Sequence, residues 1–186
     1  MEIKATEQLK EEHKVIKLML QVLIKICEKL ESGEKVPIEH LNKIVDFIRT
    51  FADKCHHGKE EDLLFPAMEK SGVPREEGPI GVMLAEHDNG RKYVKNMDEA
   101  ISRYGRGDNT AIPDIIANAE GYINLLAQHI EKEDNILYKL ADMHLPMERQ
   151  EELLKEFEKI ERERIGIGKH EEFHELIHQL RDIYLQ

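Results

Sequence analysis

The chain has 186 residues, enough for one domain with a buried core, and its 38 Asp and Glu against 27 Lys and Arg give a formal net charge of −11. That balance excludes nucleic acid as the main partner, because phosphate binding draws on a surplus of Lys and Arg. No apolar run has the length to cross a bilayer, no signal-peptide core opens the chain, and Cys27 and Cys55 make no disulfide framework. A cytoplasmic protein with no membrane contact is therefore expected.

The pattern is helical from end to end. Residues 6–30 place Leu9, Val15, Ile16, Met19, Leu20, Leu23, Ile26 and Leu30 at helical spacing. Ser32, Gly33 and Pro37 then break the chain, and a second helix is expected over 37–70, with Pro66 as a kink or early stop. Gly72, Pro74 and Gly78 lead to a third helix over 79–104, which Gly105 and Gly107 end. The fourth runs over 113–141. Pro146 opens a charged fifth helix to 165, and Gly166 and Gly168 separate it from a last short one beginning at 169. Four helices of similar length with short connections predict an all-α, up-down-up-down four-helix bundle over residues 1–145. Residues 146–186 are then a helical extension packed on the same domain.

An internal repeat carries the chemistry. The second helix contains His56-His-Gly-Lys-Glu60-Glu-Asp-Leu-Leu-Phe65, and the fourth contains His129-Ile-Glu-Lys-Glu133-Asp-Asn-Ile-Leu-Tyr138. One helix before each stands a glutamate followed by a histidine: Glu12-His13 and Glu86-His87. Residues four apart share a helix face, so His56 with Glu60, and His129 with Glu133, can approach one metal centre. His57 with Glu61 has the same spacing, but the second copy has Ile130 and Asp134 there, so His57 and Glu61 are read as neighbours. In an antiparallel hairpin, residues equidistant from the turn lie at one height. The midpoints between His13 and His56, His56 and His87, and His87 and His129 each fall on a Gly- or Pro-marked turn. Four imidazoles on four helices thus share a level, with two glutamates one turn away.

Exposed His and Glu are common on helices, and His40, His57 and His144 are read as surface residues. Glu12 and Glu86 are read as solvated groups or as carboxylates that orient a metal-bound imidazole. The set of six stands above that background. Burying it without a cation would cost several kcal/mol for each carboxylate. Imidazole with carboxylate suits iron, with manganese or zinc as lesser candidates. Six such groups exceed what one ion needs and fall short of saturating two, which leaves open positions for water, oxide or a small diatomic. His174 on the last helix is a candidate seventh ligand.

Over residues 9–141 the chain resembles the hemerythrin-like, HHE cation-binding family. The resemblance rests on His56-x-x-x-Glu60-Glu-x-x-Leu-Phe-Pro66, on Glu86-His87-Asp-x-Gly-Arg91, on His13 and on His129-x-x-x-Glu133. It implies two iron ions bridged by oxide or hydroxide and by carboxylate, held by His13, His56, Glu60, His87, His129 and Glu133. Two departures separate this chain from the oxygen carriers of that family. Arg91 stands where they have a second histidine on the third helix, and Glu133 follows its histidine at four residues where they place an Asp at five. The pattern is closer to the iron–sulfur-repair and nitric-oxide-reactive members. The function so implied is binding of, or reaction with, dioxygen, nitric oxide or peroxide in sensing, stress detoxification or iron-centre repair; the sequence names no protein partner. The alternatives are a ferritin-like ferroxidase, for which Glu171-x-x-His174 and Glu175-x-x-His178 are the nominal motifs, and a regulatory module with a structural metal.

Overall fold

The structure, a computed structural model, describes residues 3–186, which form six helices and no strand. α1 spans Ala5–Glu31. α2 runs unbroken over residues 38–70, α3 is Pro79–Gly105, and α4 covers residues 112–144 after the single tight turn Asn109–Ala111. These four make the expected bundle, with α3 and α1 packed along α4 and α2 along α3. α5 (residues 147–165) and α6 (Lys169–Tyr184) follow and pack on its outside. No helix among the described residues is long and apolar enough to cross a membrane.

The three bundle turns share one ending. Gly33, Gly72 and Gly107 adopt φ of 80°, 96° and 92°, the left-handed backbone that glycine takes without steric cost. The next N–H in each case donates five residues back: Glu34 to Lys29 (2.9 Å), Val73 to Met68 (3.0 Å) and Asp108 to Arg103 (3.1 Å). This closes the helix carbonyls and reverses the chain at once, which makes consecutive helices antiparallel.

α2 reaches Lys70 as expected, and Pro66 does not act as an early stop. The turn before it is π-helical over Glu60–Leu64, and the Phe65 N–H donates to the Glu60 carbonyl five residues back. The widened turn eases the proline ring past the carbonyl it would meet in a regular α-helix, and α2 continues to Lys70.

The core is in two parts. The larger gathers Leu23, Ile26, Phe47, Phe51, Met97 and Ile115, and α6 covers it with Phe173, Ile177 and Leu180. The smaller holds Leu9, Leu64, Phe65, Met83 and Leu137, and α5 closes it with Leu153 and Phe157. Between them lies a polar layer: His13, His56, Glu60, His87, His129 and Glu133 are each at most 2% exposed.

Candidate metal centre

Each of the four imidazoles is held by a carboxylate from a neighbouring helix. Nδ1–H of His56 donates to Glu12 (2.8 Å) and that of His87 to Glu61 (2.7 Å). His129 donates to Glu86 (2.9 Å) and His13 to Asp134 (2.7 Å). The chain of contacts runs from α1 to α2, α3, α4 and back to α1, so every bundle helix gives one histidine and one orienting carboxylate. An ionised carboxylate only accepts, so the proton sits on Nδ1 and Nε2 is left as a lone pair. All four Nε2 atoms therefore turn to the bundle axis.

Each orienting carboxylate is backed by a cation. Lys59 reaches Glu12 (2.5 Å), Arg91 reaches Glu61 (2.7 Å), Lys17 reaches Asp134 (3.2 Å), and Lys132 pairs with Glu86. Lys59 and Lys132 are equivalent positions of the repeat. Lys17 and Arg91 are likewise equivalent, each four residues after its histidine. The Glu12 carboxyl is held down at about 2 despite burial, chiefly by Lys59 and then His56. The outer carboxylates are thus neutralised locally, and Glu60 and Glu133 remain as the unbalanced charges at the centre.

The inner edges do not satisfy one another. His87 Nε2 and His129 Nε2 face each other at 3.0 Å, although both rings carry their proton on the far side. Glu133 Oε1 lies 3.0 Å from His129 Nε2, and its Oε2 lies 3.1 Å from His13 Nε2. Glu60 Oε2 lies 3.5 Å from His87 Nε2 and 3.9 Å from His56 Nε2. His56 Nε2, Glu60 Oε2 and both Glu133 oxygens are buried without a hydrogen-bond partner. Burial and the Glu133 charge push the Glu60 carboxyl well above the ordinary range. Lone pairs facing at 3 Å in a low-dielectric layer repel unless a cation lies between them. Ligand atoms about 2.1 Å from one ion and at right angles sit about 3 Å apart, which is the spacing found here. The donor set fits metal cations.

The six inner residues expected from the sequence are brought together. Suitable donor atoms of His13, His56 and Glu133 lie within 4.8 Å of one another, as do those of Glu60, His87, His129 and His57. His174 is not brought to this cluster. Its ring packs on Phe51 at 5.6 Å and beside His170 at 4.7 Å, because α6 docks through Phe173 and Ile177 on the larger core. Glu171, Glu175 and His178, the rest of the ferritin-like motifs, are exposed.

His57 corrects the surface reading made for it. It is 5% exposed and its ring stacks on His87 with centroids 3.8 Å apart. Burial lowers its pKa well below the usual value and keeps it neutral. Tyr138 also belongs to the site. Its hydroxyl donates to Glu60 Oε1 (2.6 Å) and lies 3.3 Å from His13 Nε2, and burial and the Glu60 charge raise its pKa. A signal for it existed: where the first copy has Phe65, the second has a phenol. Lys59 was equally visible as a repeated lysine. Glu12, Glu161 and His170 form a further His–carboxylate group, but the Lys59 ammonium, 2.5 Å from each glutamate, already supplies its cation.

A four-helix bundle with imidazoles and carboxylates converging on its axis defines a class of protein, the helical metal-binding bundles. Residues 4–141 match the family described as the Hemerythrin HHE cation binding domain, and the chain belongs to that family. An uncharacterised protein of Mycobacterium bovis and two of Mycobacterium tuberculosis are each 25% identical to it over 136 residues, which is 73% of this chain. The chain spans about half the length, 52%, of these curated relatives. No solved structure matches it significantly.

Proposed function

We propose that the chain holds two iron ions, one against His13 and His56 and the other against His87 and His129, with Glu60 and Glu133 shared between them. The observation that carries this reading is the 3.0 Å approach of the His87 and His129 Nε2 atoms beside unpartnered glutamate oxygens. Four imidazoles and two carboxylates leave such ions open positions, and bound iron supplies redox chemistry and affinity for small oxygen or nitrogen ligands. We assign the protein to binding of, or reaction with, a diatomic or peroxide, in the manner of the iron-repair and nitric-oxide-reactive members of the family. The protein's own contribution is fixed. The Nδ1–carboxylate pairs lock the tautomer, Tyr138 keeps its proton and holds Glu60 by one oxygen, and the two apolar cores keep water from the layer. A reducing compartment suits the two buried thiols, Cys27 and Cys55.

The test is metal content per chain with absorption spectra of the reduced and oxidised forms, followed by anaerobic exposure of the reduced form to oxygen and to nitric oxide. Two irons and a band that changes on exposure are expected. A chain purified from iron-replete cells with zinc alone, or an iron spectrum indifferent to both gases, overturns the reading. A regulatory role with a purely structural metal would show as unfolding on metal removal.

A further inference from the structure

A cavity of about 200 Å³ lies between α2, α3 and α4 beside the metal layer. Helix rise orders its walls into three levels, each about 5 Å from the next. The innermost is made by His57, His87 and His129. One turn out, Gly90 and Leu126 line it, and the edge of the Tyr122 ring packs beside Gly90, 3.5 Å from where a Cβ would stand. Two turns out stand Ile48, Val94 and Lys95, and Tyr122 springs from this level with its ring reaching back to Gly90. A cavity of about 150 Å³ accepts benzene, and a water occupies about 30 Å³, so a diatomic uses a small part of this space.

Two polar groups beyond the histidine level are unspent. Tyr122 is 3% exposed, yet its hydroxyl makes no hydrogen bond among the described residues, and a buried phenol ordinarily finds a partner. Lys95 forms no ion pair among the described residues, whereas Arg49 is held by Asp98 (2.8 Å) and Arg91 by Asp53 and Glu61. Arg49, Asp53, Glu86 and Arg91 also line the cavity, each held in an ion pair, so a neutral donor and a free ammonium are what remain to select an acceptor-only anion with an apolar body. We propose that this cavity binds a small monocarboxylate of medium chain length or aromatic type. Its carboxylate meets Tyr122 and Lys95, its body lies against Val94, Ile48 and Leu126, and its far end abuts His57 and His87. The inference stands on the cavity walls and goes beyond the metal reading, to which its inner end adds proximity.

The experiment is calorimetric titration of the protein as purified, with metal content measured, using octanoate, octan-1-ol, octylamine and acetate. Octanoate binds, and the other three bind at least about tenfold more weakly. Tyr122→Phe, which keeps the ring, weakens octanoate about tenfold. Lys95→Ala, at an exposed position, weakens it a few-fold. Leu126→Trp fills the slot and removes binding, with circular dichroism confirming the fold. Absence of octanoate binding overturns the proposal. So does equal binding of octanol with no effect of Tyr122→Phe, or octanoate binding that survives both outer variants and is lost only when the metal is stripped, which would put the head group on the metal. A chain that takes no iron but binds octanoate through Tyr122 and Lys95 refutes the metal reading and leaves this one standing.

Discussion

Lys59 and Lys132 occupy the same position in the two copies of the repeat, and the structure treats them differently. Lys59 is fully buried, between Glu12 at 2.5 Å and Glu161 at 2.5 Å, whereas the Lys132 side chain is 36% exposed beside Glu86. Replacing one partner of a buried ion pair costs about 3–5 kcal/mol, because the other charge is left unpaired. An exposed pair is worth about 0.2–1 kcal/mol. Lys59→Met should therefore remove roughly a third of a typical domain stability of about 5–15 kcal/mol, and Lys132→Met almost none. Lys59 also ties α5 to α1 and α2, so its loss should loosen residues 161–165 first. Glu12, released from its ammonium, would hold His56 less firmly, and loss of such orienting contacts typically weakens metal binding about 10–100-fold. Urea denaturation of the metal-free protein and chelator competition on the loaded one read the two effects. Adding Glu12→Gln to Lys59→Met should restore part of the stability, since the orphaned charge is gone. Equal losses for the two lysine variants, or a Lys59→Met cost under about 1 kcal/mol, would refute the burial argument.

Other outcomes follow from the same geometry. Burial pushes both Cys27 and Cys55 up to about 12, so a thiol reagent at neutral pH should label neither until the chain is unfolded; rapid labelling of one in the native protein would contradict this. Glu12 has its folded value lowered from 4.5 to about 2, with Lys59 and His56 overcoming burial. Its contribution is therefore present above pH 4.5 and lost as pH falls from there toward 2, and Glu12→Gln should flatten the acid limb of the stability–pH curve in that window. A steeper limb would refute it. His174→Ala should leave metal stoichiometry and spectrum unchanged while His56→Ala reduces both, because His174 packs on Phe51 outside the inner cluster. A metal deficit in His174→Ala would bring α6 into the site.

Much of this architecture was legible because it is written in local rules. Gly33, Gly72 and Gly107 marked the turns, apolar spacing marked the helices, and every helix end fell within three residues of the expected place. The six inner residues were legible for another reason: the repeat stated them twice, and reflection about the turns put them at one height. The misreadings concern what a repeat hides. His57 has no counterpart in the second copy, and the mismatch argued for a surface position. Its actual place depends on the cavity between α2 and α3, where it stacks on His87, and no spacing rule encodes a cavity. The same mismatch concealed that Glu61 and Asp134 are equivalent after all, as the carboxylates that hold His87 and His13. His174 lies two further turns along the chain, where α6 docks by its own apolar stripe.

The π-helical turns explain how one short motif can do two jobs. In a regular α-helix a side chain five residues on is rotated well off the face of the first, so Glu60 and Glu61, or Glu133 and Asp134, could not both work around a centre their histidine already faces. In the repeat, Phe65 N–H donates to the Glu60 carbonyl and Tyr138 N–H to the Glu133 carbonyl, each five residues back. Widening the turn after each glutamate lets the first acid face the axis while the second reaches sideways to the next helix's imidazole. The cost is poorer backbone hydrogen bonding, over one turn in α4 and over more of α2, where Ile48–His57 is π-helical too, a distortion found mostly where function requires it. Both copies place it at the same residue of the motif. The distortion is therefore part of how the chain builds a ring of imidazole–carboxylate pairs, and the inner glutamates owe their freedom to bind a cation to the outer acids that take up the Nδ1 protons.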